Sequence, residues 1–112
     1  MQIDHEMING VEAVVVTLKS ENLDAGNVAS FKEAMRPLLE QQRIVLIDLA
    51  EVNFVDSSGL GALLSCLRAM NNKDGQLKLF AMNKRVQALF ELVRMHRIFA
   101  IYNTREEALA AL

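Results

Sequence analysis

Tryptophan is absent from the sequence and only 5% of its residues are aromatic, so any interior must be filled by Val, Ile, Leu, Met and Ala. The one cysteine, Cys66, excludes an internal disulfide and any cluster of thiolate metal ligands, which fits a reducing compartment. No stretch approaches the roughly 18 uninterrupted apolar residues of a membrane span, and "MQIDHEMING" has no positive flank leading into an apolar core. A cytoplasmic location is therefore expected. A formal charge of −2 offers no global attraction for nucleic acid or an anionic membrane, and neither is expected as a partner.

What is present fits one small α/β domain spanning 1–112, with 52% hydrophobic residues to build its core. Charge is divided unevenly along it. Residues 1–56 carry four Lys/Arg against ten Asp/Glu, and residues 57–112 carry eight against four, so the halves stand near −6 and +4.

The order of elements follows from hydrophobic period and turn chemistry. Asn9-Gly10 between two β-rich runs, 2–7 and 11–18, predicts an opening β-hairpin. Val28, Phe31, Met35, Leu38 and Leu39 recur at helical spacing, with Asp24 or Asn27 available as a cap. Pro37 lies within that pattern and is expected to bend the helix or split off its last turn. "RIVLIDL" at 43–49 has the nearly continuous apolar character of a central strand buried on both faces. A second helix follows from Gly59 on Leu60, Leu63, Leu64, Leu67 and Met70, then a strand at 76–82. A third helix on Val86, Leu89, Phe90 and Val93, a last strand in "IFAIY", and a terminal helix capped by Thr104 with Glu107 complete the chain. Strands alternating with helices imply a mostly parallel sheet of four to five strands with right-handed crossovers and about four helices. Partners of such sheets meet the loops after the carboxyl ends of the strands.

One of those loops is "FVDSSGLGALL" at 54–64, where an apolar strand meets an acid, two serines and a glycine before helical spacing resumes. A serine at a helix start can simply satisfy an orphan backbone N–H. Two serines cannot both take the cap, however, and Gly59 and Gly61 lower helix propensity, by about 1 kcal/mol each in an interior position. The glycines either clear the approach to a displayed hydroxyl or pack against a neighbouring backbone. The machinery of a catalyst is missing: His5 and His96 lie far off in the chain, and no Gly-Lys-Ser/Thr follows the glycines. Neither an enzymatic activity nor a cofactor is expected, and Cys66 reads as a small core residue. A hydroxyl at the positive end of a helix is, by contrast, a place where a covalent phosphate is tolerated and changes the local charge by about two units.

The run "LIDLAEVNFVDSSGLGALL", with the later "ALFELVRMHRIF", resembles the STAS family, in particular the stand-alone anti-sigma factor antagonists of bacterial partner-switching systems. The resemblance spans nearly the whole chain. It implies that a serine-kinase anti-sigma factor of the GHKL type phosphorylates Ser58, that the unphosphorylated form binds this kinase and frees its sigma factor, and that a PP2C-type phosphatase restores the active form. It also implies a partner-binding surface comprising Asp24, in "NLDAGN", together with Asp56, Ser57, Ser58, Gly59, Leu60 and Gly61. Ser57, nearer the strand, is expected to be structural. Three departures stand out: no glycine before Leu23-Asp24, Val93-Arg94 where a small residue or glycine is usual, and Pro37. A STAS subunit of a larger assembly, such as a lipid-transport ABC system, is the alternative within the same fold.

Overall fold

The computed structural model describes all of residues 1–112. The first hairpin forms as its turn chemistry requires: β1 (Gln2–Ile8) pairs antiparallel with β2 (Val11–Thr17), and Asn9 and Gly10 both adopt positive φ, at 51° and 81°. That pair of signs is the type I′ geometry that matches the twist of the strands. Then follow β3 (Asn22–Leu23), α1 (Val28–Gln41), β4 (Ile44–Asp48), β5 (Phe54–Val55) and α2 (Ser57–Asn71). The chain ends with β6 (Gln76–Phe80), α3 (Lys84–Leu92), a 3-10 turn at Met95–Arg97, β7 (Ala100–Tyr102) and α4 (Arg105–Ala110).

The main sheet has the order β1-β2-β4-β6-β7, with every pair parallel except the opening hairpin. The apolar run at 43–49 is thus the middle strand, as its composition predicts. Alternate residues of β4 feed the two faces: Val45 and Ile47 join a large core with α1, α2 and α3, whereas Ile44 and Leu46 join a smaller one beneath α4. Period-two alternation places each set on its own side. Met35, Leu63, Met70 and Phe90 fill the larger core and are fully buried. No helix is long and apolar enough to cross a membrane.

Several local expectations are corrected. Pro37 does not split off the last turn of α1, which runs on to Gln41 and closes with a Gln42 N–H to Leu38 C=O bond. The proline sits on the exposed side, where water can serve the carbonyl that loses its helical donor. Neither Asp24 nor Asn27 caps α1 with its side chain; Asn27 holds the N-cap position, but its Oδ1 accepts from Asp24 N–H. Val93 lies past the end of α3 and is exposed, so the buried stripe is Val86 and Phe90 with Leu89 half-buried. Of the capping box expected at the start of α4, one half forms: Thr104 Oγ1 accepts from Glu107 N–H, whereas Glu107 Oε2 accepts from the N–H of Asn103, one residue before the cap, rather than from that of Thr104.

Arg94, where a glycine or small residue was expected, has φ of 62° and occupies the left-handed region. For a residue with a β-carbon that conformation costs about 1–2 kcal/mol, which a glycine avoids while giving back part of the gain through a freer unfolded chain. Arg94→Gly should therefore raise stability by about 1 kcal/mol in urea titration, and an unchanged midpoint would show that the turn carries no such strain.

Candidate functional site

Two strands of two residues each build the site. β3 and β5 pair in parallel, Asn22 with Phe54 and Leu23 with Val55, as a separate small sheet. Two residues are too short to display a period, so this sheet was not expected. Its effect is to bring the loop after β3, which contains Asp24, against the loop after β5, which starts α2.

Asp56 joins the two. Its backbone N–H donates to Leu23 C=O at 3.3 Å, its Oδ1 accepts from Gly59 N–H at 2.9 Å, and its Oδ2 accepts from Ala25 N–H at 3.0 Å. One carboxylate thus caps α2 and ties down a loop 31 positions earlier in the chain. The Gly59 N–H, with help from Ala25, holds the Asp56 carboxyl below its ordinary value of 3.8. Because the folded value is the depressed one, its contribution to stability is complete above the ordinary value and is lost as pH falls through the depressed one.

Capping by Asp56 overturns the idea that a serine takes that role. Ser57 and Ser58 occupy the first two helical positions, and neither hydroxyl makes a hydrogen bond within the chain, so Ser57 is not a structural partner either. Ser57 is exposed and Ser58 half-buried. Both hydroxyls are chemically free at the positive end of a 15-residue helix.

The two glycines differ. A β-carbon on Gly59 would lie 2.2 Å from the Leu23 carbonyl oxygen and 2.9 Å from Val55 Cγ1, so this residue is glycine because the helix start presses on the backbone of β3. Gly61 is exposed, and a β-carbon there would meet nothing within 4 Å. Leu60 is buried in the large core and supports the face from below. Asp24 is half-buried at the loop, where its Oδ1 accepts from Gly26 N–H and its Oδ2 from the Asn22 side-chain amide. The surface residues brought together are therefore Asp24, Asp56, Ser57, Ser58 and Gly61.

Sequence reasoning missed Phe54, which is 54% exposed beside this loop although the other four phenylalanines are buried. Adjacent apolar residues on a strand must face opposite ways, and Phe54-Val55 carried that signal.

The surroundings do not suit catalysis by Ser58. His5 pairs with Glu12 on the hairpin at 2.7 Å, and His96 precedes β7, at the end of the sheet opposite the start of α2. The four main surface grooves, of 270 to 480 Å³, are lined by other residues; none includes Ser57 or Ser58. Burial pushes the Cys66 thiol up to about 11, which removes it as a nucleophile near neutral pH. A free hydroxyl outside the main grooves is suited to docking and modification.

The model of the STAS domain family matches residues 2–108. The anti-sigma-B factor antagonist of Listeria monocytogenes is 34% identical over 86 residues, which are 76% of this chain and 75% of that protein. Among solved structures, an anti-sigma-factor antagonist (STAS) domain protein from Planctomyces limnophilus superposes with a TM-score of 0.80 at 20% identity, over 97% of this chain and 96% of that one. The Bacillus cell fate determinant SpoIIAA in its phosphorylated form gives 0.69 at 22% identity, over 98% of both chains. The last two likenesses concern the fold.

Proposed function

The chain belongs to the STAS domain family, and from that premise we propose that it is an anti-sigma factor antagonist switched by phosphorylation of Ser58. Unphosphorylated, it docks on a GHKL-type serine-kinase anti-sigma factor through the face around Asp24, Asp56 and Ser58, and the kinase releases its sigma factor or equivalent target. A phosphate on Ser58 ends the interaction until a PP2C-type phosphatase removes it. The observation that carries this reading is the pair of free hydroxyls: Asp56 takes the capping role, so the fold has no use of its own for Ser58 Oγ.

Ser58 is favoured over Ser57 by its half-buried place at the second helical position, framed by Gly59 and the open surface at Gly61. Incubation with the cognate kinase and ATP should add one phosphate, which peptide mapping should place on Ser58, and Ser58→Ala should abolish it with an unchanged melt. A phosphate mapped to Ser57 moves the switch by one residue. Copurification with an ABC ATPase and membrane partners, with no phosphate on protein from its native cell, overturns the switch in favour of a permanent subunit.

A further inference from the structure

We propose that the docking face continues past the serine across Phe54 to the first turn of α3, and that Phe54 is the apolar anchor that decides which kinase is accepted. This rests on the antagonist reading above and names the chemistry of its partner.

Phe54 is an aromatic side chain left in water on a backbone that cannot retreat. Its N–H and that of Asn53 both donate to Glu21 C=O, at 3.2 and 2.7 Å, and β3 pairs alongside. The residues just before it are tied to the start of α3, because the Asn83 side-chain amide donates to Val52 C=O at 3.2 Å and to Asn53 Oδ1 at 2.9 Å. Asn83 in turn caps α3 by accepting from Val86 N–H. A rigidly held, exposed aromatic loses little entropy when a partner covers it, which is the property of an interface anchor.

The second observation is electrostatic. The first turn of α3 carries Lys84 and Arg85 and no acid, both are exposed, and neither forms an ion pair within the chain. Cations at the positive end of a helix oppose its dipole and weaken the fold, so their presence calls for a negative group from outside. On the β3 side the loop offers Asp24 instead. Phe54 is thus flanked by an acidic loop and a basic helix start. The partner that fits is a kinase surface with an apolar pocket, a carboxylate group facing Lys84 and Arg85, and a basic group facing Asp24.

The test uses the full chain and the purified serine kinase that phosphorylates Ser58, titrated in the presence of ADP. Phe54→Ala should weaken binding about 30-fold with an unchanged melt, as expected for a central anchor. The double variant Lys84→Glu, Arg85→Glu should lower the association rate about tenfold at low salt, with the difference shrinking as salt rises. If Phe54→Ala binds within about twofold of wild type while Ser58→Asp still blocks binding, the anchor is overturned and the switch stands. A wild-type chain that neither binds the kinase nor is phosphorylated by it overturns both.

Discussion

Ser58→Asp is expected to weaken binding to the kinase about a hundredfold while the chain melts close to the wild-type temperature. The added charge appears at the start of α2 beside the Asp56 carboxylate, which already takes Gly59 N–H, while the Asp56 carbonyl takes Leu60 N–H. In the proposed complex it would stand against a partner surface shaped for a neutral hydroxyl. Juxtaposed like charges and lost water cost several kcal/mol at an interface, and about 3 kcal/mol is a hundredfold in affinity. Ser58→Ala has no charge to desolvate and should bind constitutively. Calorimetric titration with ADP present compares the two, and equal affinities would remove the electrostatic basis of the switch.

The other large effect concerns stability. Gly59→Ala should destabilise the fold by about 3 kcal/mol, because the atoms 2.2 and 2.9 Å from the new methyl group belong to the backbone of Leu23, which no rotamer change can move aside. In a domain of this size that lowers the melting temperature by at least ~10 °C. The same substitution two residues on has the opposite sign: Gly61→Ala meets nothing within 4 Å and should gain up to about 1 kcal/mol of helix propensity. Thermal melts of the two variants check the pair. Equal shifts would mean that the helix start yields away from β3.

The parts of the fold that were legible in the sequence are those decided locally. Asn9-Gly10 dictates a turn with two positive φ values, Thr104 caps the last helix by accepting from Glu107 N–H, and the apolar run of β4 leaves no polar face to turn outward. What stayed hidden was decided by distant pairings. Asp56 outcompetes the serines as a cap because its second oxygen also reaches Ala25 N–H across the small sheet, a bond that no local pattern announces. Gly59 presented two readings in sequence, and only the position of Leu23 decides for packing. Arg94 entered the left-handed region without the glycine that usually marks it, while Pro37 was absorbed because the affected turn faces solvent. The residues of the Asp-Ser-Ser-Gly motif stood out in sequence; which of them face outward did not, and Gly59 and Leu60 are buried.

The Asp56 cap also couples two distant parts of the chain. Its carboxylate closes the start of α2 through Gly59 N–H and the loop after β3 through Ala25 N–H, although 31 positions separate Ala25 from Asp56. The two segments therefore stiffen or loosen together, and removing that one charge would release both at once.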